Sequence, residues 1–470
     1  MRQAKYDIGL IGLGVMGRNL ILNIAESGFS AYGLDLDGNK VASLLEEVQN
    51  TAIINASADT KTFVEALSRP RKLILLVPAG PPVDTVIEGL LPYLEKGDII
   101  IDGGNSHYKD TDRRESSLRS KGIYFMGTGI SGGAQGARQG PCIMPGGPKI
   151  AYASIKPILE AVAADFKGEP CVAYLGPKSA GNYVKMVHNG IEYGLMQLTS
   201  EIYDLLKKSG NFSQLELHKL FDSYNKGRLR SFLIEITANI LKQKDDKTTG
   251  YLVDMILDKA KQKGTGKWTS QNAMDLGIPV PTIDIAVSMR QLSALRSETM
   301  KSNNPHPKQT TKHLDKEALK KGAEAALYFG FMLTYAQGFH LMTAASKAYG
   351  YDLNMKTIAK IWRAGCIIKG ALLEDLAKAF DETSNLPHLL MDKAFAAKIM
   401  ATVPATRDMV ILGIENGIPL PGLGSALTYF DGFSADRLPL NLIQAQRDYF
   451  GSHTYERTDR DGIFHTDWDN

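Results

Sequence analysis

The sequence predicts an α/β chain: a Rossmann-type doubly wound N-terminal domain, a large all-α domain, and a C-terminal tail. Three observations carry this. Short apolar runs alternate with helical patterns over residues 4–110, the strand–helix–strand order that builds a parallel sheet. From about Leu175 to residue 435 the apolar spacing settles near 3.6 with few β-branched runs, as packed helices require. The last thirty or so residues are rich in Asp, Arg and aromatics, and are too few to hold a core of their own. The expected division is 1–178, 179–437 and 438–470.

In order, AKYDIGLIGL reads as the first strand and about Met16–Ser27 as the first helix. A second strand (Ala31 to Leu34), the amphipathic stretch Lys40–Val48 and the apolar run KLILLVPAG follow. Another helix then precedes DIIIDGGN. KSNNPHPKQT (301–310) is polar, carries two prolines and reads as a loop inside the helical part.

Composition narrows the function. At roughly 150 residues per domain, 470 residues allow about three units. With 54 Lys plus Arg against 51 Asp plus Glu, the net charge is +3, which argues against a nucleic-acid-coating chain. The near-balanced 22% charged fraction also argues against disorder, and hydrophobic residues at 44% are ample for large buried cores. No run of about 18 uninterrupted apolar residues exists, so no membrane partner is expected. The N-terminus enters an apolar strand with no signal-peptide cleavage site. Cys142, Cys171 and Cys366 are too few and scattered for a disulfide framework or zinc site. A reduced, soluble, cytoplasmic protein is expected.

Gly12-Leu13-Gly14-Val15-Met16-Gly17 is a GxGxxG between predicted strand and helix. Its glycines make the tight turn, admit a pyrophosphate and let the helix pack on the strand. The helix N-terminus then offers free N–H groups to phosphate. Asp35 lies eighteen residues beyond Gly17, at the predicted end of the second strand. A carboxylate there accepts hydrogen bonds from ribose hydroxyls and repels a 2′-phosphate. Asp37 adds charge, and Leu36 offers no phosphate-binding cation. This favours NAD, with NADP the alternative.

Ser131-Gly132-Gly133-Ala134-Gln135-Gly136-Ala137 and Met144-Pro145-Gly146-Gly147 read as two glycine-rich loops able to approach a ligand closely. On a helix, positions 185, 188, 189, 192 and 196 share one face. That face shows Lys185, His188, Asn189 and Glu192, the wrong chemistry for a core stripe and unusual for a solvated one beside glycine loops.

With these residues in view, the chain resembles the 6-phosphogluconate dehydrogenases, the decarboxylating enzymes of the oxidative pentose phosphate pathway. The resemblance covers practically the whole chain. It rests on GLIGLGVMGRNL, IIIDGGNS, SGGAQGARQGPCIMPGG, KMVHNGIEYG, QKGTGKW, YAQGF, WRAGCIIKG and NLIQAQRDYFGSHTYER. It implies oxidation and decarboxylation of 6-phosphogluconate to ribulose 5-phosphate. It also implies a homodimer in which each tail enters the partner subunit's site. By resemblance, Lys185 is the general base and Glu192 the general acid. His188 and Asn189 position substrate and nicotinamide. Ser131, Gly132 and Gly133 hold the carboxylate end of the sugar acid. Val77 falls with the cofactor set, and Asn105 lies between cofactor and substrate. Tyr193, Lys263, Thr265 and Arg290 match the phosphate-binding set, and Arg447 and His453 the tail contacts.

The chemistry suits these residue types. The base takes the C3 hydroxyl proton as hydride leaves C3, and the β-keto acid formed then loses CO2. The sequence has no His/carboxylate cluster with ligand spacing, so no metal is expected, and Lys185 polarises the enolate as its ammonium. Two departures from the family stand out. Asp35-Leu36-Asp37 replaces the Asn-Arg-Ser/Thr that commonly clasps the 2′-phosphate of NADP, and Pro78 stands where many members carry Lys. A non-decarboxylating β-hydroxyacid dehydrogenase is the runner-up, although such chains are shorter and lack this tail.

Overall fold

The computed structural model describes residues 5–48, 53–299, 315–383 and 386–468. The expected loop at 301–310 lies outside the described residues. The N-terminal part contains β1 (Ile8–Ile11), α1 (Val15–Glu26), β2 (Ala31–Leu34), α2 (Gly38–Glu47), β3 (Ile54–Ser57) and α3 (Thr60–Glu65). It continues through β4 (Lys72–Leu75), α4 (Pro81–Leu90), β5 (Ile99–Asp102), α5 (Tyr108–Arg119) and β6 (Tyr124–Ser131). Then come α6 (Gly133–Gln139), β7 (Cys142–Pro145) and α7 (Lys149–Val162).

Seven strands form one sheet in the order β3-β2-β1-β4-β5-β6-β7. The first six are parallel, whereas β7 runs antiparallel to β6, with Ser131 opposite Cys142 and Gly129 opposite Met144. β1, β2 and β5 are buried along their whole length, because helices cover both sheet faces; this is why they read as continuous apolar runs rather than as alternation. The chain leaves β1 toward β2 on one side and returns to β4 on the other. That reversal opens a crevice beyond the C-terminal ends of β1 and β4, where α/β sheets take their ligands.

The expected first glycine loop is mostly regular structure. Only Gly132 (φ +115°) and Gly133 (φ +63°) take left-handed backbone, and α6 begins at once because Ala134–Gln139 can all adopt helical angles.

The long helix α8 (Ala180–Ser209) runs from this sheet into the helical part. It packs against the helix Lys316–Tyr349. Glycines make the crossings possible: a Cβ at Gly190 would meet Thr269 Cγ2 at 2.7 Å, and one at Gly194 would meet Thr334 Cγ2 at 2.6 Å. The last helix, Leu440–Gly451, leads into a short tail that folds on itself. Its centre is the fully buried Asp448 carboxylate, which accepts hydrogen bonds from Thr454 N, Thr466 N and Trp468 Nε1 at 2.9–3.0 Å. Asp448 also pairs with His465 Nδ1 at 2.8 Å. Burial alone would raise the pKa of Asp448, but these donors hold it well below the ordinary carboxylate range. Among the described residues no helix is long and apolar enough to cross a membrane.

Candidate active site

The crevice at the sheet reversal is a cleft of ≈ 1100 Å³. Gly12, Gly14, Val15, Met16, Gly17, Asp35, Val77 and Asn105 line it. Gly12 turns the chain at φ +96°, and a Cβ there would lie 2.6 Å from the Leu76 carbonyl oxygen. A Cβ at Gly17 would lie 1.9 Å from the Gly12 carbonyl oxygen, so the third glycine lets α1 close on the turn. Gly14 has open space in front of it and caps α1 without a side-chain hydrogen bond. The first turn of α1 therefore presents unsatisfied N–H groups beside an open backbone, as a pyrophosphate needs. These residues fit a nicotinamide dinucleotide.

Leu13 points inward, with 3% of its surface exposed, and its N–H donates to Asp35 Oδ2 at 2.8 Å. Asp35 thus braces the glycine turn while lining the cleft. Its Oδ1 accepts Asp37 N at 3.0 Å, and Lys40 Nζ lies 3.3 Å from Oδ2. Asp37 caps α2 through Asn39 N. Leu36 is 85% exposed on the cleft wall. Arg18 is held away by Ser43 and Glu47.

The second half of the site is the start of α8, which lies almost backbone to backbone on β6 and β7. A Cβ at Gly181 would meet the Gly127 and Met144 carbonyl oxygens at 2.2 Å, and one at Gly146 would meet Gly181 N at 2.3 Å. Gly129 leaves the room Lys185 occupies, since a Cβ there would sit 2.3 Å from Lys185 Cβ. Alternate glycines on one strand face thus seat the helix that carries Lys185. Glycine in a strand interior marks just such close approach, and the spacing in MGTGIS was its visible signal.

Lys185 is 6% exposed, and burial lowers its pKa, opposed by the Glu192 charge and the nearby Cys366 and Cys142 thiols. Burial raises the pKa of Glu192, opposed by Lys185 and Arg290. His188 is fully buried and held neutral by burial and by the Lys185 charge; its 4.0 Å approach to Glu192 is therefore no ion pair. Its Nε2 lies 3.4 Å from Ser131 Oγ and its Nδ1 3.1 Å from Asn189 Oδ1. Asn189 Nδ2 donates to Thr265 Oγ1 at 3.1 Å. Arg290 stacks 3.8 Å over the Tyr193 ring. Gly132 packs against the Gly365 carbonyl, and Gly133 faces open space. Among the described residues no three His, Cys, Asp or Glu side chains converge as a metal site would need.

A dinucleotide cleft, buried Lys185 and His188, and half-buried Glu192 thus meet where sheet and helices join. The family model described as "NAD binding domain of 6-phosphogluconate dehydrogenase" matches residues 7–176, and "6-phosphogluconate dehydrogenase, C-terminal domain" matches 181–468. The chain belongs to the 6-phosphogluconate dehydrogenase family. A Bacillus subtilis relative named as the NADP(+)-dependent, decarboxylating 6-phosphogluconate dehydrogenase is 50% identical over 469 residues, 99% of each chain. A second, named as NAD(+)-dependent, is 47% identical over 464 residues, 98% of this chain and 99% of its own. The Plasmodium falciparum 6-phosphogluconate dehydrogenase structure aligns with TM-score 0.94 and 44% identity, covering 98% of this chain and 100% of that one. Both cofactor specificities occur among these relatives.

Several residues of this 6-phosphogluconate dehydrogenase site escaped sequence reasoning. Trp268 and His107 line the dinucleotide cleft, their rings meeting edge to face at 5.0 Å, and beside them lies Lys263, which the resemblance places instead with the substrate phosphate. Asp102 and Arg114 are buried behind Asn105. Arg114 donates to the Gly80 carbonyl oxygen at 3.0 Å and to Asp84 on one side, and to Ser106 Oγ at 3.5 Å on the other, tying together the two loops that frame the cleft. Which loops an arginine bridges depends on strand order, and no local pattern reports it. Arg447 and His453 do not line the cleft of their own chain: both are exposed, and Arg447 donates to Gln444 Oε1 at 3.0 Å rather than pairing with Asp448.

Proposed function

We propose that this oxidoreductase converts 6-phospho-D-gluconate to D-ribulose 5-phosphate and CO2, passing hydride to NAD in preference to NADP. The observation that carries the reading is buried Lys185 and half-buried Glu192 on one face of α8, whose pKa directions match an amine base and a carboxylic acid. The bound nicotinamide supplies the hydride acceptor. Neutral Lys185 takes the C3 hydroxyl proton as the C3 hydride departs. The resulting ammonium polarises the C3 oxygen as the bond to the carboxylate breaks and CO2 leaves. Glu192 then protonates C1 of the enediol. His188, Asn189 and Ser131–Gly133 orient the sugar acid between these groups, and Asn105 separates it from the cofactor. Tyr193, Lys263, Thr265 and Arg290 bind the substrate phosphate. No metal takes part in this scheme.

The remaining phosphate contacts come from Arg447 and His453 of a second copy. The exposed Leu440, Leu442, Ile443 and Phe450 of the tail support this homodimer, because apolar surface of that kind is covered when a partner docks. The chain acts in the cytoplasm and is organised as 1–178, 179–437 and 438–470.

For the cofactor, Asp35 supplies the support. At about 4 Å and an effective dielectric near 20, each charge pair with a 2′-phosphate costs up to about 4 kcal/mol. Lys40 and water reduce this, and even about one-third of it shifts preference about tenfold. Initial rates with 6-phosphogluconate, measured with NAD and NADP while CO2 is trapped, test the whole reading. The expected result is stoichiometric CO2 and a higher kcat/KM with NAD. Asp35→Asn with Leu36→Arg should move preference toward NADP. An unmodified enzyme that prefers NADP overturns the cofactor assignment, and oxidation without CO2 overturns the decarboxylation.

A further inference from the structure

Asn182 stands one turn before Lys185 on α8 and is 2% exposed. Its Oδ1 accepts the Thr111 hydroxyl at 2.8 Å, and its Nδ2 donates to the Gly104 carbonyl oxygen at 3.4 Å. The amide has one seat: a Cβ at Gly127 would lie 2.1 Å from Asn182 Oδ1. Gly104 precedes Asn105, and both line the dinucleotide cleft. The other side of this loop is held by its own strand, where Asp102 accepts Gly104 N at 3.1 Å and the Ser106 hydroxyl at 2.6 Å. The loop after β5 is therefore fastened to the sheet by Asp102 and to α8 by Asn182.

We propose that Asn182 is a positioning residue that sets the loop bearing Asn105 in register with the helix bearing Lys185. The proposal rests on the reaction proposed for this site. Hydride transfer requires C3 near the nicotinamide while the C3 hydroxyl rests on Lys185, and the two sides are held by separate pieces of chain. Small errors in such alignment are costly: about 1 Å of misplacement can lower turnover about 10²-fold. Asn182 is a polar tie between the pieces, and it needs both a donor and an acceptor. An aliphatic residue supplies neither, and an ionised Asp would turn a carboxylate toward the Gly104 carbonyl.

Hydrogen exchange of the unliganded full chain tests the tie without turnover. In the folded protein Gly103 N is bonded to the Leu75 carbonyl oxygen at 2.9 Å and Gly104 N to Asp102. Asn182→Ala should speed exchange in the 103–106 segment about tenfold, while the β1–α1 segment is unchanged. With 6-phosphogluconate, kcat should fall about 10–100-fold with KM moving less than about threefold. The isotope effect from C3-deuterated substrate on kcat should rise as hydride transfer becomes the slow step. Thr111→Val removes the bond that orients the amide and should give the same directions at smaller size; it decides the matter if Asn182→Ala does not fold. Unchanged exchange in 103–106, or lost stability with kcat and isotope effect unmoved, overturns the proposal. Failure of the unsubstituted chain to release CO2 would instead sink the functional reading, and the exchange result would still decide the tie.

Discussion

The head of α8 carries Lys185 and His188 inside the protein, whereas the tail helix Leu440–Gly451 carries Arg447 on its surface. Around Lys185 lie the Gly129 backbone, the buried Cys142 and Cys366 thiols and the Glu192 carboxylate. Its charge is poorly solvated there, and its pKa falls. Among the described residues of the tail the one fully buried charge, Asp448, is surrounded by four donors and stays ionised. Large apolar side chains stand outside, Phe450 with 72% of its surface exposed. The group proposed to gain and lose a proton during turnover is left short of partners. A carboxylate that holds a loop together is given all it can accept. The tail's shape is thus secured internally, while its apolar side chains and Arg447 stay exposed.

Lys185→Met breaks this contrast most severely. It removes both base and polarising cation, so turnover should drop by roughly 10⁴-fold or more in a steady-state assay. The melting temperature should hold or rise, because a poorly partnered buried cation gives way to an apolar side chain. A large loss of stability would mean that Lys185 is a structural member of the core.

Glu192→Gln keeps the shape and removes the proton donor. It should lower kcat by roughly 10²–10⁴-fold. The proposed mechanism requires neutral Lys185, so kcat/KM should rise with pH through the Lys185 pKa. The Glu192 charge raises that pKa, and its removal should therefore move the acid limb of the profile to lower pH. A limb that stays in place would separate the two groups electrostatically.

The smallest effect is expected in the tail. Arg447→Ala removes a charge-assisted contact worth about 1.5–3 kcal/mol, so KM for 6-phosphogluconate should rise about 10–100-fold. Mixing Lys185→Met chains with Arg447→Ala chains should restore activity at low substrate. One site of the mixed dimer then has both an intact Lys185 and an intact Arg447 from its partner. No recovery, with subunit exchange demonstrated by mass, would place Arg447 outside the site.

Much of the site was legible because its signals are local. GxGxxG between strand and helix states its turn, its helix and its cleft within a few residues. Helical periodicity alone put Lys185, His188, Asn189 and Glu192 on one face. Other features depend on partners far away in the chain. The antiparallel β7 follows from a short return after α6, and the apolar run in CIMP cannot say which direction it takes. Asn182 reads as an ordinary polar residue at a helix start until Gly127 and Gly104 are seen on either side of it.

The sequence by itself determined the alternation of strand and helix that opens the chain, the phosphate-binding turn, the acidic end of β2 and a tail too short for a core. Each of these rests on backbone preference and side-chain period, which act over a turn or a strand. The tertiary structure alone decided that Lys185 is desolvated, that His188 is neutral and that the Gly104 carbonyl is tied to α8. It also decided that Asp448 organises the tail. Those properties depend on how much water is excluded and which distant donors converge, and both are fixed only when the sheet and the helices pack together.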